Sequence, residues 1–236
     1  MRCSRLLSKK TEIIYIIYTL TKLIILANLL IDIAINVLRE RKVYKMARAG
    51  LDQNIIVSRA AQMANEIGLE NITLKMIAKE FGVQTPSLYN HIKSLEDLRK
   101  QLMIYGWKQL EQNILHAVCG VSGYDALREI CNTFYEYATA NPGVFNAMLW
   151  YNKFQDEETQ EATGGLFPAI IKVMEAMNIS QENANHLIRT FRSFLEGFAL
   201  LVNNEAFGNP ISIKESFDLS VDVLLAGVKT LEEGEV

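Results

Sequence analysis

The chain has 236 residues, half of them hydrophobic, with only four prolines and 13 glycines; this excludes a turn-rich β architecture and leaves room for one or two domains with a real core. Apolar residues recur at three- and four-residue spacing almost throughout, so the class is all-α. The net charge of −3 argues against a generally basic nucleic-acid coat, yet residues 1–45 carry nine Lys/Arg against three Asp/Glu, 46–105 seven against six, and 106–236 eight against 18.

A basic or near-neutral first part beside an acidic second part points to two modules with different partners. Cys3, Cys119 and Cys131 show no CxxC spacing, which fits a reducing cytoplasm better than a disulfide framework. His91, His116 and His186 are far apart, so no local metal motif exists. No cofactor is expected.

Residues 1–45 form an extension without Gly or Pro, and three readings of it stay open. It is upstream sequence read in frame ahead of a start at Met46, a membrane anchor, or an extra packed helix. Ile13 to Leu38 is long enough to span a bilayer, with Arg39, Arg41, Lys42 and Lys45 behind it. Lys22 and Asp32 would lie inside that span, and Tyr18, Thr21, Asn28 and Asn36 share their side, the pattern of an amphipathic helix. A membrane is therefore the weaker expectation.

From Asp52 the pattern becomes orderly. Ile55, Ile56, Ala60, Met63, Ala64 and Ile67 make one apolar stripe, stopped by Gly68. Thr73 is a good N-cap for a second helix with Leu74, Ile77, Ala78 and Phe81 on its inner face, and Gly82 allows a tight turn. Val83 is expected to pack inward. Pro86 suits the first turn of a third helix, anchored by Leu88 and Ile92, and Ser94 with Asp97 reads as a capping box for a long fourth helix. Two short helices about a glycine turn, the second rich in outward hydrogen-bonding groups and poor in charge, form the helix-turn-helix pattern at about 73–92. Base edges are read by hydrogen bonds and methyl contacts, while phosphates take the charge.

The run from Leu51 to Leu98 resembles the DNA-binding domain of TetR-type transcriptional regulators along its whole length. The resemblance rests on Ala61–Thr73, with its Gly-Leu-Glu-Asn-Ile-Thr ending, on Ile77–Val83, and on Pro86–Ser94, read PSLYNHIKS. It implies a two-fold dimer on a double-stranded palindromic operator, with Thr85, Ser87, Tyr89, Asn90 and His91 facing DNA. Tyr89 and Lys93 are the phosphate candidates, and Asn90 a base reader, since an amide can pair with adenine. Thr73, Lys75 and Pro86, at or near the helix starts, complete the expected DNA-binding set. Tyr89 can instead pack beneath its helix, and Thr85 and Ser87 can act mainly as caps.

The fourth helix is expected to run to about Val118, with a break at 120–123. A helix over Tyr124–Ala140 follows, ended by Asn141-Pro142-Gly143, then helices over Val144–Trp150, Glu158–Met177, Gln181–Phe207 and Ser216–Leu231. The resemblance thus predicts about nine helices. The stretch 191–208, with the segment after it, is similar to a TetR subgroup named for a Trp-His-Gly signature, with Leu195-Glu196-Gly197 standing at that place. Gly197 and Ala199 on one long helix, with Ala226 and Gly227 on the last, let helices approach, so the last two helices are expected to make a homodimer.

An unidentified small-molecule effector is expected among the middle helices. Phe134, Tyr137, Phe145, Met148 and Trp150 are candidate lining residues from the first half of this body. Phe167, Phe194 and Phe198 are candidates from the second half. Arg192 and Glu196, four apart on one helix, either pair with each other or await a charged ligand.

The organisation expected is an extension at 1–45, a helix-turn-helix domain at 46–107, and an effector-binding and dimerisation domain at 108–236. Phosphate loops, paired catalytic carboxylates and a GxSxG elbow are absent, and no enzyme is expected. The function expected is a cytoplasmic, sequence-specific repressor released from its operator by a ligand. The alternatives are a regulator anchored in the membrane through residues 13–38 and a helical adaptor that binds no DNA.

Overall fold

The structure, a computed structural model, describes residues 51–154 and 156–232. The three readings of residues 1–45, including the apolar run Ile13–Leu38, lie outside the described residues. Among the described residues there are ten α-helices, two 3-10 turns and no strand. No helix among them is long and apolar enough to cross a membrane. Residues 52–79 and 83–232 belong to one compact unit.

Helix α1 spans Gln53–Ile67, opened by Asp52, whose Oδ1 accepts from the Ile55 N–H at 2.8 Å. It ends at Gly68, which takes φ +87°, a conformation open to glycine at little cost. Its buried face holds Ile56, Val57, Ala60, Ala61, Met63 and Ala64, while Ile67 is exposed. After a 3-10 turn at Leu69–Asn71, α2 covers Leu74–Glu80. Gly82, at φ +65°, provides the turn. Helix α3 is short, Thr85–Leu88, with turns through His91; the Ile92 N–H still donates to the Leu88 carbonyl at 2.9 Å.

The long helix α4, Leu95–Ala117, begins at Ser94, whose Oγ accepts from the Asp97 N–H at 3.0 Å. Asp97 reaches back to the Lys93 N–H at 2.7 Å, one residue before the N-cap amide that a capping box uses. Helix α5 is Gly123–Ala140 and α6 is Pro142–Met148. The Asn141-Pro142-Gly143 stop therefore also starts a helix, because proline needs no N–H partner in a first turn.

Gly143 permits a close approach of α6 to α1. A Cβ there would lie 2.0 Å from the Ala64 carbonyl oxygen of α1. Beside it, the Asn65 Oδ1 accepts the Val144 N–H at 3.0 Å, and the Asn65 amide donates to the Asn141 Oδ1 at 2.9 Å. A side chain of α1 thus caps α6 from across the junction.

A 3-10 turn at Tyr151–Lys153 leads to α7, Glu157–Thr163, and α8, Leu166–Glu175. The single helix expected over 158–177 is broken at Gly164–Gly165. The Glu111 carboxylate occupies the place where a Gly165 Cβ would sit, 2.1 Å from its Oε1. This split brings the expected nine helices to ten.

Helix α9, Gln181–Asn203, stops four residues before the expected Phe207. The Ala206 N–H donates to the Leu201 carbonyl and that of Glu205 to Val202, with Glu205 at φ +52°, a Schellman closure. Helix α10, Ile213–Glu232, ends the described chain. Helix α4 packs against α1, α5, α6 and α7, while α9 packs against α5, α8 and α10.

Candidate functional site

Leu88 and Ile92 are fully buried, which fixes the rotation of the segment between and around them. Lys75, Pro86, Ser87, Tyr89, Asn90 and Lys93 are exposed, and Thr85 and His91 are half-buried. Tyr89, left open between packing and outward use, is 54% exposed, so it does not pack beneath the helix. No side chain caps the N-terminus of α3, which leaves Thr85 and Ser87 without the capping duty considered for them. Thr73 does cap, its Oγ1 accepting the Met76 N–H at 3.3 Å. Val83, expected to point inward, is half-buried. The result is an outward cluster of hydroxyl, phenol, amide, imidazole and ammonium groups on a buried two-residue anchor.

The second feature is an apolar cavity of about 510 Å³, counting the part that opens to solvent. Trp107 and Ile114 of α4 line it, with Leu127, Ile130, Cys131 and Phe134 of α5. The opposite wall is Leu166, Phe167, Ile170 and Met174 of α8 with Ile188, Phe191, Arg192 and Leu195 of α9. Trp107 and Phe167 are tilted rings 5.9 Å apart, and the Arg192 guanidinium lies 5.7 Å from each ring. Burial pushes the Cys131 thiol up to about 12 against the opposing charge of Arg128, so it stays a neutral wall group.

Of the ten sequence candidates for ligand contact, the structure brings Phe134, Phe167 and Arg192 to this cavity. The other seven lie outside its lining. Phe145 packs edge-on against Phe134, with centroids 6.0 Å apart, and Tyr137 is buried core. Met148 fills the space over Gly106, and its carbonyl accepts the Trp107 indole N–H at 3.2 Å. Trp150 is covered by the Lys153 ammonium at 3.6 Å and by Arg99. Phe194 and Phe198 belong to an aromatic cluster with Tyr135 and Phe217. Glu196 pairs with Arg192, Nε to Oε1 at 2.6 Å, the pairing rather than the awaiting alternative.

Sequence reading missed Ile114, Leu127, Ile130, Ile170, Met174 and Ile188. Their aliphatic periodicity is the same as that of ordinary core, and only the packing of four helices separates the two.

Polar ties secure the N-terminal part of α4. Lys100 pairs with Asp156 and Glu158, each at 2.7 Å. Burial alone would lower the Lys100 pKa, but hydrogen bonds to both carboxylates prevail and raise it. Glu158 is held below its ordinary range by hydrogen bonds from Gln101 and Lys100, and Asp156 by its bond to Lys100 and the Thr159 N–H. Arg99 bonds Glu70, of the turn after α1, at 2.9 Å.

Comparison with known proteins finds matches to both parts of the chain. Residues 56–102 match the profile described as bacterial regulatory proteins, tetR family, and residues 127–224 match the tetracyclin repressor-like C-terminal domain. The HTH-type transcriptional regulator YobS of Bacillus subtilis (strain 168) is 32% identical over 182 residues, covering 77% of this chain and 94% of that protein.

The chain belongs to the TetR family.

A second HTH-type transcriptional regulator, Rv0681 of Mycobacterium tuberculosis (strain ATCC 25618 / H37Rv), is 30% identical over 154 residues, 65% of this chain and 71% of its own. Among solved structures, a TetR variant from Acinetobacter baumannii AYE in complex with minocycline superposes with a TM-score of 0.61 at 17% identity. That alignment covers 77% of this chain and 98% of the other. As a TetR-family member, the chain is a DNA-binding helix-turn-helix transcriptional regulator with the all-α fold expected.

Proposed function

We propose that this TetR-family regulator is a cytoplasmic homodimeric repressor, released from a palindromic operator when a small molecule enters the cavity. The observation that carries the proposal is the polar face around α3, held outward by the buried pair Leu88 and Ile92. In this reading residues 46–107 are the DNA-binding domain and 108–236 the effector and dimer domain. Asn90 reads a base edge, Tyr89 and Lys93 contact phosphates, and Thr85, Ser87 and His91 complete the groove surface. Lys75, with Thr73 and Pro86 beside the helix starts, lies against the backbone.

Dimerisation through α9 and α10 is supported by exposed apolar residues on them: Leu201 at 45%, Leu219 at 65% and Val223 at 63%. Leu219 and Val223 are one turn apart, and a Cβ at Gly197 or Gly227 would meet nothing within 4 Å, leaving room for another helix. The minocycline complex of the Acinetobacter relative supports a ligand role for the body.

The route from cavity to reader runs through contacts already described. Trp107, a cavity wall, bonds the Met148 carbonyl at the end of α6, and α6 sits on α1 through Gly143 and Asn65. A ligand that binds better when these are shifted weakens DNA binding by the same coupling factor, about 5- to 150-fold for roughly 1–3 kcal/mol.

The test is titration of the full chain with the DNA just upstream of its own gene at several salt concentrations. The proposal expects sequence-specific binding that weakens steeply with salt, at two protomers per site. Binding that is indifferent to sequence, or that occurs as a monomer, contradicts it.

A further inference from the structure

We propose that Glu196 makes the cavity select neutral, ring-bearing apolar molecules and reject anions. This rests on the reading of the cavity as the ligand site. Arg192 is the one charged residue among the described residues lining it. An uncompensated guanidinium in such a wall would draw a carboxylate or sulfonate into a charge-assisted pair. Glu196, one turn further along α9, holds that guanidinium at 2.6 Å, and the two side chains are 21% and 24% exposed for Glu196 and Arg192.

An entering anion therefore faces two poor choices. It can displace Glu196 and leave a half-buried carboxylate without its cation, or it can share a guanidinium whose charge Glu196 already offsets and stand against the repulsion of that carboxylate. A neutral molecule faces neither penalty. The tilted Trp107 and Phe167 rings, with Phe134 and Phe191 on the same lining, favour an aromatic occupant. Glu196 thus acts by repulsion and by occupying the cation, the negative half of specificity.

The experiment titrates the full chain with two fluorescent probes of one scaffold, N-phenylnaphthylamine, which is neutral, and anilinonaphthalene sulfonate, which is anionic. Signal that is lost on filling the cavity with Ile130→Trp counts as cavity binding. Where that variant does not fold, energy transfer to the probe from Trp107, left as the sole tryptophan by Trp150→Phe, replaces it. The neutral probe is expected to bind at least about tenfold tighter than the sulfonate. Glu196→Gln should raise sulfonate affinity by about tenfold or more while leaving the neutral probe unchanged, and Arg192→Gln should give no such gain.

A sulfonate that binds the parent cavity as well as the neutral probe overturns the proposal. So does a Glu196→Gln protein with an unaltered preference, and so does failure of the neutral probe to enter at all. The same titrations in the presence of operator DNA separate this from the release mechanism. A neutral probe that fills the cavity without weakening DNA binding breaks the release reading alone. A preferred sulfonate that does release DNA breaks the selectivity alone.

Discussion

The reader and the cavity put their chemistry on opposite kinds of surface. Around α3 the functional groups are polar, exposed and carried by a segment of nine residues, Thr85–Lys93, whose rotation two buried side chains fix. In the body the lining is almost wholly apolar, recessed but partly open to solvent, and contributed by four helices. A surface that reads a groove must keep its hydrogen-bonding groups wet until DNA arrives, whereas a cavity for an apolar molecule must be built from the same residues as a core. The first can tolerate substitution with little effect on stability, and the second cannot.

Substitutions sharpen that contrast. Leu88→Ala should lose about 2–5 kcal/mol of stability, read as a lowered denaturation midpoint, because the anchor is fully buried. Gly143→Ala should lose up to about 3 kcal/mol, since its methyl group would strike the Ala64 carbonyl and separate α6 from α1. An unchanged midpoint would mean in the first case that Leu88 does not anchor α3, and in the second that Gly143 is not what seats α6 on α1. Asn65→Ala should lose about 1 kcal/mol, the usual effect of removing an N-cap, and should alter the coupling between ligand and DNA more than the affinity for either alone.

The last effect is nil at neutral pH and develops only in the alkaline range. Because burial raises the Cys131 pKa in the folded chain to about 12, the unfolded thiol ionises first as pH rises above its ordinary range. Folded-state stability contributed by the neutral thiol is therefore present below that range and falls between it and about 12. Replacing Cys131 with Ala should flatten this alkaline slope, measured by denaturation at a series of pH values.

The contrast also governs what sequence made legible. The reader could be placed because its signals are local: Thr73 and Ser94 as caps, Gly68 and Gly82 as turns, Leu88 and Ile92 four apart. The cavity could not, because Phe134 and Phe145 carry the same apolar signal and only one of them faces it. The break at Gly164–Gly165 escaped although its signal, two helix-weakening glycines in a row, is local, because the apolar periodicity continues on both sides of it; the room left at Gly165 is taken by the Glu111 carboxylate. Asn65 capping α6 was hidden because the two lie far apart in sequence. Pairing of Arg192 with Glu196 was foreseen as one of two options, since a spacing of four on a helix brings such charges together.

The central claim is that Asn90 reads a base while contributing little to the fold. The direct test is operator affinity of the parent and of Asn90→Ala on the native half-site and on half-sites altered one base pair at a time, with denaturation midpoints taken on the same samples. The account predicts that discrimination at one position falls by about 1–3 kcal/mol while the midpoint shifts by less than about 0.5 kcal/mol. Discrimination that is intact at every position, or a loss of affinity that merely tracks a loss of stability, would contradict it.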